Sequence, residues 1–239
     1  MPNIEQYFER TIDQKLKKQN DVNTHTPSGK LSASGLGNPT QWQILKTLAV
    51  KTTEHDEYTL RKFQRGKDVE DRIIELLDPI KKQEPVEYRD VVGFADAFMN
   101  TSDWDFPCGI IPVEVKSVTN AKFKRIVGSS RIQGSGAQRG HKLQGALYAL
   151  ARGCSHFTIL YVASDDYRTI AYTFKTEDFK EEIDSIIDKY NYHKEKGIIP
   201  IFEPMEDWQS NEKYNPYPEW MGLTEEEIKQ LQKNLNINF

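Results

Sequence analysis

Apolar residues recur at spacings of three and four in some stretches and alternate in others, which divides the chain into helices and strands. Residues 3–18 carry Ile4, Phe8, Ile12 and Leu16 at helical spacing. Residues 20–40 are rich in Asn, Thr, Ser, Gly and Pro and read as an irregular arm. Thr40 is placed to cap a helix over 41–51, and a longer helical pattern covers 60–82 with Pro79 near its end. Residues 88–98 and 110–118 alternate as strands, joined through 101–109 as a hairpin-like unit. Residues 120–140 read as a long loop rich in Gly, Ser, Lys and Arg, a length that in a compact domain points to function or disorder. Helical character returns over 137–151, strands over 157–163 and 168–174, and a helix over 177–193 behind Thr176. The aromatic and Pro-rich tail over 196–217 lies across the core, and Thr224 with Glu227 forms a capping box for a last helix.

This order predicts an α/β domain: a mixed central sheet flanked by helices, plus an N-terminal helical layer. A single domain spans 1–239, with a helical extension and arm over 1–60, a core over 61–195 and a tail and helix over 196–239. No run approaches the roughly 20 apolar residues that cross a bilayer. The N-terminus lacks the basic-then-apolar pattern of a secretory signal. Two cysteines, Cys108 and Cys154, cannot ligate an iron–sulfur cluster by themselves. A reducing, cytoplasmic setting fits.

The formal net charge of −4 hides an asymmetry. Between residues 115 and 142 there are seven basic residues and no acid: Lys116, Lys122, Lys124, Arg125, Arg131, Arg139 and Lys142. Residues 175–239 carry a net −7. Because salt confines each field to roughly 10 Å, a basic patch can bind phosphates on an acidic protein.

The candidate chemistry lies just before that window. In Val113-Glu114-Val115-Lys116, strand alternation puts the carboxylate and the ammonium on one face and the two valines on the other. Taken alone, such a pair is common on a half-buried strand. Asp96, in Gly93-Phe94-Ala95-Asp96, can reach the same point from the preceding strand. Two carboxylates 3–4 Å apart repel unless a divalent cation joins them, and hard oxygen ligands select Mg²⁺ or Mn²⁺. A third acid is Glu70, which shares a helix face with Ile73, Ile74 and Leu77, whereas Asp71 shares one with Glu75 and Asp78. Gly66, one turn earlier, leaves room for a phosphate or a backbone. On the later helix His141, Gln144 and Tyr148 share a face.

Together, Gly66-x-x-x-Glu70, Gly93-x-x-Asp96, Glu114-x-Lys116 and Gln144-x-x-x-Tyr148 resemble the PD-(D/E)xK nuclease superfamily, in particular its RecB-type and lambda-exonuclease-like branch, over roughly residues 31–200. The resemblance implies a restriction-endonuclease-like core and Mg²⁺- or Mn²⁺-dependent hydrolysis of DNA. It implies Glu70, Asp96, Glu114 and the carbonyl of Val115 as metal ligands, Lys116 as the catalytic lysine, and Gln144 and Tyr148 as its support. Lys122, Lys124, Arg125, Arg131, Arg139, His141 and Lys142 would then meet the DNA backbone. Residues 31–42 also resemble the opening of RecB-type domains, but Gln41-Trp42 stands where cluster-bearing members have a cysteine, and none follows Cys154. The expectation is therefore a free-standing exonuclease with no iron–sulfur cluster and no nucleotide cofactor. It would act in recombination, repair or phage DNA processing, in the cytoplasm or a phage host's cytoplasm, and without a membrane. A homo-oligomer and a recombination or single-strand-binding partner stay open. So do an endonuclease of the same fold and a silent DNA-binding module.

Overall fold

The computed structural model describes residues 11–18, 29–103, 108–129 and 132–239. Ile4, Phe8 and Arg131 lie outside them. Helix α1 covers 11–18, α2 covers Thr40–Thr47 and α3 covers Glu57–Leu77. Strands β1 (Lys81–Tyr88), β2 (Val91–Asn100) and β3 (Ile110–Val118) follow. Then come α4 (Asn120–Val127), β4 (Gly128–Ser129), β5 (Ile132–Gln133) and α5 (Arg139–Arg152). The chain continues with β6 (His156–Ala163), β7 (Thr169–Lys175), α6 (Glu177–Lys196) and α7 (Glu225–Asn234).

The main sheet has the order β1-β2-β3-β6-β7. Its first three strands are antiparallel, β3 and β6 run parallel, and β7 returns antiparallel to β6. The parallel step needs a crossover, which α4 and α5 supply. Val69, Ile73 and Ile74 of α3 pack on Val113, Val115, Ala97 and Val162. On the other side Leu143, Ala146 and Leu147 of α5 join a larger core with Phe157, Ile159 and Tyr161. The expected mixed sheet between helices, with a helical N-terminal region, is what forms.

Several local expectations fail for identifiable reasons. Thr40 is not a cap: Pro39 stands before α2, Thr40 is its first residue, and the helix ends at Thr47 rather than near 51. The helix over 60–82 is shorter. Asp56 caps α3 by accepting the Thr59 N–H (2.8 Å), Asp78 ends it in the left-handed region (φ 46°), and β1 begins at Lys81. The strand expected over 88–98 begins only at Val91, because the chain coming out of an unforeseen strand, β1, turns at Arg89 and Asp90, both at positive φ. This two-residue primed turn lacks the usual Asn-Gly signature. The long loop contains α4: Thr119 caps it, accepting the Lys122 N–H (3.4 Å), and Phe123 and Ile126 bury its apolar stripe. The basic residues on its open face masked that period.

The tail folds back as expected. Tyr217, Trp220 and Ile228 belong to the main core, and the Thr224–Glu227 capping box is present. Gln41 Nε2 donates to the Pro200 carbonyl (2.9 Å), and Gln209 Nε2 donates to the Gly37 carbonyl (2.9 Å). Thr176 occupies the position before α6, but its hydroxyl makes no cap bond. No helix among the described residues is long and apolar enough to cross a membrane.

Candidate active site

The site forms where the β2–β3 ladder ends. The two strands pair from Asn100 opposite Ile110 to Ala97 opposite Val113, and then the pairing stops. This frees the Val115 N–H, which donates to Asp96 Oδ2 (2.9 Å). Glu70 reaches the same strand from α3, accepting the Ser117 N–H on Oε1 (2.9 Å). The helix phase read from the sequence therefore places Glu70 inward, while Asp71 is exposed. Glu114 is buried, and Lys116 Nζ donates to its Oε1.

The electrostatics follow from this crowding. Burial pushes Glu114 up, Lys116 opposes the shift, and Asp96 and Glu70 add to it. Burial also raises Asp96 and Glu70, against the hydrogen bonds that each accepts and the field of Lys116. Burial works against the charge of Lys116, but Glu114, Asp96 and Glu70 outweigh it and hold the ammonium above its ordinary range. Lys116 is thus a donor.

The donor set fits a hard divalent cation. Glu114 Oε2 is buried with no hydrogen-bond partner, beside two more carboxylates that raise its proton affinity. A cation would satisfy that oxygen and relieve the repulsion. Among the described residues no group of three or more His, Cys, Asp or Glu is positioned to hold an ion as the side chains stand. As they stand, Lys116 and two backbone N–H groups each take up one oxygen of Glu114, Asp96 and Glu70.

Helix α5 covers this strand end. Gln144 Nε2 donates to the Tyr148 hydroxyl (2.7 Å), and burial with the field of Glu114 keeps that phenol protonated. Gly93 makes room for it: a Cβ there would stand 2.8 Å from Tyr148 Cε1 and from Ala33 Cβ. Gln144, Tyr148, Gly93 and the exposed Phe94 border a groove of about 1160 Å³. Ser32, Ser34 and Lys46 form another part of its wall, and Lys46 Nζ donates to Ser32 Oγ (3.3 Å). Ser32 is bridged to Val92, which fixes that wall to β2.

The basic residues separate. Lys124 and Arg125 are exposed on α4, and Lys122 is half-buried with its pKa lowered by burial and by Arg125. Arg139 Nε instead donates to Glu182 Oε1 (2.7 Å). Lys142 lies over the rings of Phe174 and Phe179, 5.7 and 5.9 Å from their centroids. Those two point toward α6 and β7. His141 bonds Tyr161 and is pushed down to about 3 by burial, Lys116 and Lys122, so it carries no charge.

Sequence reasoning missed Lys46, Tyr161 and Gln83. Gln83 sits at φ 49° where β1 skips the ladder pair opposite Asp96, and its amide favours the Asp96 carboxylate. The register resumes unchanged at Glu84 opposite Ala95, so the ladder is interrupted for one pair with no residue inserted, and such a local kink has no simple sequence signal.

No family model matches the chain, and no curated protein matches it. Among solved structures, a crystal structure of a protein described as SSO0001 superposes with a TM-score of 0.53 at 14% identity, covering 91% of this chain and 98% of that one. An alkaline exonuclease, LHK-Exo from Laribacter hongkongensis, gives a TM-score of 0.48 at 13% identity, covering 71% of this chain and 90% of its own. Its complex with dAMP gives 0.46 at 12%, covering 87% and 94%. Identities this low speak to fold alone. The helix α3, the β1–β3 meander and the parallel return through α5 to β6 give this chain a restriction-endonuclease-like fold.

Proposed function

We propose that the chain is a metal-dependent deoxyribonuclease that removes nucleotides from DNA ends. One observation carries this reading: Glu114 is buried beside Asp96 and Glu70 with one oxygen unpartnered, while the single cation at the site is held by the other oxygen. Clustered buried acids oppose folding, and a structural role does not require three of them. Glu70, Asp96, Glu114 and the Val115 carbonyl would hold Mg²⁺ or Mn²⁺, which supplies Lewis acidity and lowers the pKa of a bound water.

The chain's own groups do the rest. Protonated Lys116 donates to a phosphate oxygen and offsets the charge that grows there as the phosphodiester is attacked. The Gln144–Tyr148 pair walls the site and presents polar groups to the strand. Lys122, Lys124 and Arg125 on one side and Lys46 with Ser32 on the other hold the backbone. Such phosphate contacts position DNA without reading bases, so the DNA end sets where cutting begins. We further assign the chain to the RecB-type branch as a member without an iron–sulfur cluster. Supporting this, Gln41 and Trp42 hold the returning tail, with Trp42 stacked on Phe202 at 5.7 Å between ring centroids.

The test is cleavage of end-labelled linear DNA and of closed circles with Mg²⁺, Mn²⁺ or Ca²⁺, using wild type and Glu114→Ala. Loss of label from linear DNA alone, dependent on Mg²⁺ or Mn²⁺ and abolished in Glu114→Ala, is the expected result. Opening of circles would make the protein an endonuclease, and retention of intact DNA a binding module.

A further inference from the structure

Behind Lys116 lies a polar pair, Tyr161 and His141; the sequence resemblance sets His141 against the DNA backbone without saying how, and gives Tyr161 no task. The β3–β6 register sets Lys116 beside Tyr161, and register partners leave the same face of a sheet. Tyr161 is fully buried, yet its hydroxyl makes two bonds: it accepts the Gln138 N–H (2.9 Å) and lies 2.8 Å from His141 Nδ1. A hydroxyl has one proton to give. Gln138 fills a lone pair, and Nδ1 is the one acceptor recorded for that proton among the described residues. With Nδ1 as that acceptor, the buried hydroxyl proton is satisfied and the neutral ring carries its own proton on Nε2. His141 is half-buried and its Nε2 makes no hydrogen bond within the described residues, so an incoming group can reach this N–H. Lys116 and Lys122 are close enough for their fields to act on the ring. His141 also heads the α5 face that continues through Gln144 and Tyr148.

A directed N–H within the fields of two cations suits an anion. Resting on the nuclease reading above, we propose that His141 donates Nε2–H to a phosphate oxygen of the bound strand next to Lys116, and that Tyr161 is a positioning residue that fixes the tautomer. A neutral ring adds a hydrogen bond there without adding a third positive charge to repel Lys116 and Lys122. The role differs from that of Lys124 and Arg125, which act through charge.

The test combines a nitrogen readout with kinetics on the full chain. In ¹⁵N-histidine-labelled protein at neutral pH, His141 should show protonated Nε2 and bare Nδ1, and Tyr161→Phe should lose that single-tautomer signature. Adding a short oligonucleotide with Ca²⁺ should shift Nε2 more than Nδ1. In single-turnover cleavage at saturating DNA, His141→Leu should lose about 10- to 100-fold, the range for one hydrogen bond to a charged group. His141→Gln, which keeps a donor near the Nε2 position, should recover most of the loss, and His141→Lys should not.

A proton on Nδ1, a charged ring, rescue by Lys, or a Leu variant that cuts like wild type would each overturn the proposal. If the wild type cuts no DNA, the nuclease reading fails by itself. The Nε2 shift with oligonucleotide still decides whether His141 meets a phosphate: a shift supports that contact, and no shift overturns it. Melting of each variant within a few degrees of wild type shows that the kinetic losses are not losses of fold.

Discussion

Gly66 sits inside α3, one turn before Glu70, and pays the helix cost of glycine with no packing reason. A Cβ built there meets nothing within 4 Å, and its φ is not positive. Gly66→Ala should therefore stabilise the fold by about 0.5–1 kcal/mol, the difference between Gly and Ala in a helix interior. For a chain of this size that corresponds to a rise of about 1–4 °C in Tm. Activity should move the other way. If the strand passes over α3 on its way to Glu70, a methyl group at Gly66 displaces it, and a misplacement of about 1 Å can cost about 100-fold. The assay pairs a thermal melt with single-turnover cleavage at saturating DNA, so that weaker binding and slower chemistry separate. A higher Tm with a wild-type rate would remove the DNA from this face. A lower Tm would show that the helix is not open at this position.

Other outcomes follow from the same geometry. Lys116→Ala should keep DNA binding in Ca²⁺ but lose about 100-fold or more in single-turnover rate, the usual loss for one electrostatic catalytic group. Glu70→Gln should harm cleavage more than Asp71→Asn, and the reverse order would put the helix phase out by one residue. Replacing Lys122, Lys124 and Arg125 together by Ala should flatten log affinity against log salt, measured by anisotropy, by about 0.9 per lost duplex contact or about 0.7 for a single strand. Asp184 is pulled down to about 2: desolvation resists, but Lys180, Arg89 and Tyr88 outweigh it by hydrogen bonding. A depressed carboxylate contributes stability above its unfolded pKa near 4 and loses it as pH falls toward 2. Denaturant melts between pH 5 and 2 should show a shallower loss for Asp184→Asn than for wild type.

What could be read from the sequence was what local periodicity encodes. Two-residue alternation put Glu114 and Lys116 on one side of a strand, and three-to-four spacing turned Glu70 inward. Strand β1 escaped because it is an edge strand of mostly polar residues, Lys-Lys-Gln-Glu-Pro-Val-Glu-Tyr, which continues a helical-looking run. Helix α4 escaped because only Phe123 and Ile126 anchor it amid cations. The contacts of Lys46 with Ser32, Tyr161 with His141 and Gln83 with Asp96 join different elements. Register and packing create them, and no spacing along the chain announces them. The separation of Arg139 and Lys142 from Lys122 is of the same kind: a run of cations in sequence becomes two groups once α5 turns its sides to different neighbours.

The two buried glutamines also set an order of events during synthesis. Gly37 lies close against Gly140 of α5, where a Cβ would stand 2.5 Å from the Gly140 Cα, and its carbonyl is satisfied by Gln209, 172 residues later. Gln41 waits for Pro200, 159 residues later. Closing loops of that span is slow compared with forming the β1–β2 hairpin or α5. A nascent chain can therefore complete its sheet, and bring Asp96 to Glu114, while the wall beside them is still loose. The acids meet first and the long-range fastenings of the N-terminal arm close last, so the carboxylates are clustered before the groove beside them takes its final shape.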